Sequence, residues 1–405
     1  ASAGAARGPL AGLAVLALSW SVAGPYVGRG LVDFGAEVVR VETRTRPDVS
    51  RTASPFHPRN EDHPLEGSGL YHNSNAGKLG VELDLAAPPA REVLWDLIRW
   101  ADVILESFSA GAFERMGFSW ERISELNPRA VLLSSCLPGQ TGELHLPGYG
   151  NLSTALFGFT TVTRWPGRPA AGPFGAYTDI VSPRFGLAAV LAALDHRRRS
   201  GRGQHLDLSQ AEASLHFLAP ALLDAEVNDA PFEARGNHDP DHAPHGVYPC
   251  AGEDRWAAVV CTTDEQWRAL AALLGREDLA DLGRAERLAR QDELDALVGA
   301  WTSARSAEAA QEILVAAGVA AHQVQNSPEC LADPQLAHRG HYVTVEHPLL
   351  GPVVVEGPRV RLLGTPGATT APGPTYGQHS DYVLRELLGY SDERIAELVV
   401  AGALG

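Results

Sequence analysis

The sequence predicts an α/β protein: a Rossmann-like, doubly wound parallel sheet in a large domain, joined to a smaller α+β domain. Three observations carry this expectation. Short apolar runs alternate with helix-period segments from Leu13 to Ser135, the signature of parallel strands covered on both faces. At 405 residues the chain is too long for one ordinary core. A polar tract rich in Asp, His, Pro and Asn, Asn228–Pro244, then separates this block from a second one that opens on a hairpin pattern. The expected divisions are residues 1–225 for the large catalytic domain, 226–245 for a linker and 246–330 for the small domain. Residues 331–405 should form a return linker and a C-terminal segment packing on the large domain.

Each element follows from local pattern. Leu13–Leu18 reads as an apolar strand, Gly24–Phe34 as a helix and Glu37–Glu42 as a second strand, a βαβ opening. A polar, Pro-rich loop, Arg44–Gly69, comes next, and a loop that long inside an α/β domain points to binding or motion. Strand Gly80–Leu85, helix Pro89–Trp100, strand Asp102–Ser107, helix Ala110–Asn127 and strand Ala130–Ser135 continue the alternation. Ser182 and Pro183 read as a helix start, Phe185–Leu194 as a largely buried helix and His196–Arg199 as its cationic last turn. Gly201 and Gly203 break the chain before strand Gln204–Leu208 and helix Ser209–Val227. In the second block, Gly246–Cys250 and Arg255–Cys261 form the hairpin, followed by helices near Thr263–Leu274, Gln291–Ser303 and Ser306–Ala317. Short strands His341–Val345 and Val353–Glu356 and helices Ser380–Leu388 and Ser391–Leu398 close the chain.

Composition narrows the function. A net charge of −16 opposes general attraction to nucleic acid or anionic membrane, while leaving room for a local basic pocket. Cys136, Cys250, Cys261 and Cys330 are widely spaced and form no CxxC pair, which reads as reduced, structural and cytoplasmic. Arg7 followed by the apolar run Leu10–Leu18 imitates a signal peptide, but the run leads directly into the βαβ unit and is better read as its first strand. The chain begins at Ala1 rather than Met, so it is expected to be trimmed or cut from something longer.

Several motifs have bland readings. Gly24, Gly28 and Gly30 with acidic Glu42 imitate a dinucleotide fingerprint, yet they do not make GxGxxG, and Pro25 removes an N–H that a pyrophosphate would need. The tract Asn237–His245 gathers three His and two Asp at a spacing that fits no regular ligand set, so no metal is expected. Lys78 precedes a strand and Arg115 follows one, positions at the rim where α/β sheets bind ligands; alone, each reads as a surface cation. Tyr149 alone reads as a core tyrosine. Asp179 beside a helix start reads as an N-cap, and backbone N–H groups there also suit an attacking anion.

Three stretches together change those readings: Gly175–Ser209, Asn73–Leu85 and Ala101–Phe118. They resemble the class III coenzyme A transferases, the formyl-CoA and carnitine CoA-transferase group of CaiB/BaiF type, over nearly the whole chain. The resemblance implies that Asp179 is the nucleophile, forming an aspartyl mixed anhydride and then an aspartyl-CoA thioester. It implies that Gly148 and Tyr149 line the acyl site and that Arg44, Arg51, Asn75, Lys78, Ser107, Phe108 and Arg115 contact CoA. It further implies an acyl-CoA donor, a free carboxylic acid acceptor, no permanently bound cofactor and an interlocked-ring homodimer. Related racemases carry an acid/base His within Gly-His-Asp where this chain has Gly148-Tyr149-Gly150. An acyl-CoA racemase or isomerase, and a non-catalytic partner subunit of a heteromeric transferase, are the alternatives; the presence of Asp179 speaks against the latter. The glycine-run lid of formyl-CoA transferase has no counterpart here, and the acid pair is not named by the sequence.

Overall fold

The computed structural model describes residues 8–144, 146, 148–173, 175–229 and 234–404. Arg7 and residues 230–233 of the expected linker lie outside the described residues. The chain forms two compact units, one of Ala1–Phe157, Pro173–Asn228 and Gln335–Gly405, the other of Gly158–Gly172 and Asp229–Pro334.

In the first unit six strands pair in parallel: β1 (Ala14–Ala17), β2 (Glu37–Glu42), β3 (Leu79–Glu82), β4 (Val103–Glu106), β5 (Val131–Cys136) and β6 (Gln204–Ser209). Their order is β3-β2-β1-β4-β5-β6, the doubly wound sheet the sequence predicts. Alternation along each strand builds two cores. Val15, Val38, Val103 and Val131 face α1 (Ala23–Val32) and α8 (Tyr177–Ser200). Leu16, Val39, Ile104 and Leu132 face α3 (Pro88–Trp100) and the C-terminal helix Asp392–Val400. The order reverses between β1 and β4, so their following loops diverge and leave a crevice. Gly24 lets α1 begin there: a Cβ on it would lie 2.4 Å from Ser19 Cβ and 3.0 Å from Ser107 Cβ.

Several elements differ from the sequence reading. The expected helix Ala110–Asn127 is two, α4 (Ala112–Arg115) and α5 (Trp120–Leu126), because Gly117 takes φ 93° between them. The loop after β2 contains 3₁₀ turns at Val49–Thr52 and Pro58–Glu61 and leads into α2 (Gly69–Asn75), whose Asn, Ser and His residues give little helix signal. Helix α8 starts at Tyr177, so Ser182 and Pro183 lie inside it, not at its start. Nor is α8 largely buried: Ile180, Phe185 and Leu191 are exposed. Its last turn is as expected, with Arg197 on Asp102 at 2.8 Å and Gly201 left-handed at φ 74°. Ser209–Val227 divides into α9 (Gln210–Leu215) and α10 (Ala219–Asn228) around a 3₁₀ turn, and α6 (Gly150–Leu156) precedes α8. A hairpin of β10 (Tyr342–His347) and β11 (Gly351–Glu356) completes this unit's strands.

The second unit has an antiparallel sheet of β7 (His245–Pro249), β8 (Trp256–Val260) and β9 (Ala320–Gln323). The short helix α7 (Phe159–Val162), α11 (Asp264–Leu273), α12 (Arg284–Ala289), α13 (Gln291–Ser303) and α14 (Ala307–Ala316) belong to it. Trp267, Leu270, Leu294, Val298 and Leu314 are buried together with Tyr248 and Val259 of the sheet. No helix among the described residues is long and apolar enough to cross a membrane.

One buried ion network ties distant segments of the first unit. Arg51, fully buried, donates to both oxygens of Glu42 at 2.9 and 2.8 Å, to Glu66 at 2.8 Å, and to the carbonyls of Leu65 and Pro374 at 2.9 Å. Its guanidinium also stacks 3.7 Å from the Tyr71 ring centroid. Burial alone would raise the Glu42 carboxyl, but the Arg40 and Arg51 guanidiniums outweigh it and hold it at about 2. Arg51→Met should therefore cost about 3–5 kcal/mol in urea unfolding, the penalty of an uncompensated buried charge. Arg44→Met, whose exposed side chain pairs with Glu82 at 3.1 Å, should cost under about 1 kcal/mol.

Candidate active site

The crevice opens into a cavity of about 1500 Å³. That exceeds the roughly 300–1,000 Å³ of an ordinary small-molecule pocket and suits a long ligand. Its walls come from the segments after β1, β2, β4 and β5, from the start of α3 and from α8.

Asp179 lies in the first turn of α8, 5% exposed, with its carboxylate on this cavity. Oδ2 accepts the Gly150 N–H at 3.1 Å, and among the described residues no cation pairs with it. Glycine at 150 is obligatory: a Cβ there would sit 2.8 Å from Asp179 Cγ and 2.7 Å from Ala176 Cβ. Thr178 Oγ1 donates to the Gly150 carbonyl at 3.3 Å, holding the same junction from the other side. Burial pushes the Asp179 carboxyl up to about 6, against the lowering effect of the Gly150 N–H. Such a group is ionised at neutral pH yet poorly solvated, the condition of a reactive anion.

The cavity gathers six of the ten residues singled out from the sequence: Ser107, Phe108, Arg115, Gly148, Tyr149 and Asp179. Tyr149 is 58% exposed, not a core tyrosine. The other four are not on its lining. Arg51 is consumed by the buried network, and Arg44 turns to Glu82. Lys78 is buried under α1, donating to the Pro25 carbonyl and to Asn75 Oδ1 at 2.8 Å each, so Asn75 too is spent on scaffold. The lining instead holds Arg40, Arg46 and Arg91, which the sequence reading missed. Arg40 is already matched by Asp48 and Glu42. Arg46 is exposed, its guanidinium 5.3 Å from the Trp20 ring centroid, and with Arg91 and Arg115 it offers positive charge to an anionic ligand. The available signal was position: Arg46 follows β2, and Arg91 lies in the first turn of the helix after β3, the rim of the sheet in both cases.

Raising Asp179 from its ordinary range to about 6 costs the folded state about 3 kcal/mol once the group is ionised, at 1.36 kcal/mol per pKa unit. Because the folded-state value lies above the unfolded one, this cost is absent near pH 4, grows as pH rises and is complete above about pH 6. Asp179→Asn keeps an acceptor for the Gly150 N–H and removes the charge. In urea unfolding it should be more stable than wild type by about 2–3 kcal/mol at pH 8 and equal to it near pH 4. Gly150→Ala should lose the same stability at both values, since its clash is steric.

Comparison with known proteins identifies the family. The sequence profile described as CoA-transferase family III matches residues 10–380. The chain is 31% identical over 396 residues to succinyl-CoA–D-citramalate CoA-transferase of Chloroflexus aurantiacus, covering 96% of each. It is 30% identical over 391 residues to succinate–glutarate CoA-transferase of Agrobacterium fabrum, covering 94% of this chain and 96% of that one. The crystal structure of a CaiB/BaiF family protein from Brucella suis matches with a TM-score of 0.86 at 27% identity, over 94% of this chain and 100% of that one. A doubly wound sheet, a large cavity at its switch point and full-length likeness to named transferases converge: the chain belongs to CoA-transferase family III.

Proposed function

We propose that this enzyme moves coenzyme A from an acyl-CoA thioester to a free carboxylic acid, with Asp179 as nucleophile. The observation that carries the reading is a buried carboxylate, without a cationic partner among the described residues, opening on a cavity of about 1500 Å³ that also bears Arg46, Arg91 and Arg115. Asp179 Oδ attacks the thioester carbonyl carbon; the C–S bond breaks, giving a mixed anhydride and CoA thiolate. The thiolate attacks Asp179 Cγ and expels the donor acid, leaving an aspartyl-CoA thioester. An acceptor carboxylate then attacks Cγ, and the released thiolate takes the new acyl group and frees Asp179. Each step exchanges one thiolate for one carboxylate, so the sequence balances without metal, nucleotide or other cofactor. The Gly150 N–H lies where charge on the Asp179 oxygen changes during these steps. Arg46, Arg91 and Arg115 take the CoA phosphates, in place of Arg44, Arg51 and Lys78. The named relatives act on dicarboxylic acids, and that likeness supports a dicarboxylic donor and acceptor here.

The assembly follows from what the first unit leaves uncovered. Helix α10 buries no residue and exposes Leu222, Leu223 and Val227, and on α8 Ile180, Phe185 and Leu191 are exposed as well. Exposed large apolar side chains on both helices support an obligate homodimer. The four cysteines are free, in keeping with a cytoplasmic location.

Asp179→Ala should abolish transfer while still binding acyl-CoA. Wild-type enzyme incubated with succinyl-CoA and then hydroxylamine should carry a hydroxamate on the peptide containing Asp179, read by mass spectrometry. Active enzyme with no adduct, but with α-hydrogen exchange into deuterated water, would replace the transferase by a racemase. Because the carboxylate must be ionised, kcat/KM should fall on the acid side with a midpoint near pH 6, following the value of about 6 for Asp179. Arg46→Gln or Arg115→Gln should raise the KM for acyl-CoA about tenfold with little change in kcat. Arg44→Gln should leave both unchanged.

A further inference from the structure

Glu106, the last residue of β4, is 3% exposed, and among the described residues no cation pairs with it. Its Oε2 accepts the Phe108 N–H at 2.8 Å, and Ser134 of β5 is its partner across the β4–β5 ladder, on the same face of the sheet, where its hydroxyl opposes the rise of the Glu106 carboxyl. Ser134 Oγ in turn lies 2.8 Å from His205 Nε2 on β6. With the Ser134 hydroxyl proton turned to the carboxylate, Ser134 Oγ accepts from His205 Nε2–H, which assigns the tautomer. His205 is exposed and stacks on Trp120, ring centroids 5.8 Å apart. A carboxylate–hydroxyl–imidazole chain therefore runs from beneath the cavity wall to the surface. The wall it supports is continuous: Phe108 and Ser107 line the cavity, Ser107 Oγ accepts the Trp20 N–H at 3.1 Å, and Trp20 carries Arg46 over its ring.

We propose that Glu106 is a positioning residue for CoA binding: its ionised carboxylate anchors the Phe108 N–H and the wall bearing Ser107 and Trp20, and Ser134 and His205 exchange protons between it and solvent. The inference rests on the cavity being the CoA site. A buried carboxylate serving only as scaffold has a cationic partner, as Glu42 has; Glu106 has neutral donors only. Burial pushes its carboxyl up to about 7, with Asp207 adding to the rise and the Ser134 and Phe108 hydrogen bonds opposing it. The groups facing the chain are Cys136 on β5, Asp207 on β6 and, toward His205, Glu121 on α5. Burial raises Cys136 to about 11, so it remains a thiol, and the partial desolvation of the His205 ring on its Ser134 side lowers His205 against the opposing Asp207 and Glu121 charges. A proton reaching His205 Nδ1 moves on as His205 Nε2–H passes to Ser134 Oγ and the Ser134 hydroxyl proton passes to Glu106. The Phe108 N–H then loses its charge-assisted acceptor.

Calorimetric titration of wild type and Glu106→Gln with coenzyme A at pH 8 and pH 6 tests this. Titration of the ligand's own phosphate, near pH 6, is common to both proteins and cancels in their ratio. Glu106→Gln should bind CoA about tenfold more weakly than wild type at pH 8, the loss of one charge-assisted bond, and equally near pH 6. Convergence is the signature; a purely structural defect keeps the same offset at both values. A constant offset, no offset, or tighter binding by Glu106→Gln would overturn the proposal, the last by showing that Glu106 acts as a repelling charge. Ser134→Ala removes a bond that lowers the Glu106 carboxyl, so its CoA affinity should begin to fall at higher pH than in wild type. That shift decides the matter should Glu106→Gln not fold, and an unmoved pH profile in Ser134→Ala overturns the proposal. Wild-type protein that binds neither CoA nor succinyl-CoA at any pH would remove the CoA reading itself, and this one with it.

Discussion

The contact between the Asp179 carboxylate and the backbone of Gly150 is the constraint on which the site depends. Two helix starts, those of α6 and α8, meet so closely there that no side chain fits at position 150. The carboxylate is left one N–H donor and little water. Desolvation wins over that single hydrogen bond, which makes the group both costly to the fold and reactive. The cost of about 3 kcal/mol is tolerated because α8 is fixed independently, by Val190 and Ala193 against the sheet and by Arg197 on Asp102 at its far end. Stability lost at the Asp179 carboxylate is regained along the same helix.

Topology explains why this contact faces a cavity at all. The strand order reverses between β1 and β4, and the loops leaving their C-terminal ends turn to opposite sides. Gly24 lets the start of α1 pack directly against Ser19 and Ser107, the latter on the cavity lining, while Lys78 secures α1 from beneath through the Pro25 carbonyl. Lys78 is thus an instructive cation. Its burial drives its pKa well below the usual lysine range, and its ammonium is committed to neutral oxygens, so it fixes the scaffold and offers no charge to a ligand.

Much of this was legible in the chain. The parallel sheet was readable because strands buried on both faces are near-continuous apolar runs, and Asp179 because a motif surrounds it. Cations were harder, since position after a strand does not fix the direction of a long side chain: Arg51 turns inward to Glu42 and Glu66, whereas Arg46, five residues earlier, turns out over Trp20. Strand β9, Ala-Ala-His-Gln, carries no β-branched or aromatic residue, so only its pairing with β8 reveals it. The split at Gly117 and the early start of α8 depend on a single φ and on tolerance of Pro183 in the helix's second turn, neither of which a hydrophobic period reports.

Three buried carboxylates in the first unit show how environment assigns roles to one functional group. Glu42, between two guanidiniums, is held at about 2 and is permanently charged scaffold. Asp179, with one backbone donor and no cation among the described residues, rises to about 6 and is charged but poorly solvated at neutral pH. Glu106, with a backbone and a hydroxyl donor but deep behind the wall, rises to about 7. The two guanidiniums, more than depth, set Glu42 apart from the other two, since all three are at most 9% exposed. On the proposed reading, in which an acidic protein binds a polyanionic thioester, this separation has a reason. A guanidinium beside Asp179 would stabilise its anion and blunt the proposed attack; the cations of the cavity lie elsewhere on its lining, where the proposed ligand could meet them without the carboxylate being quenched.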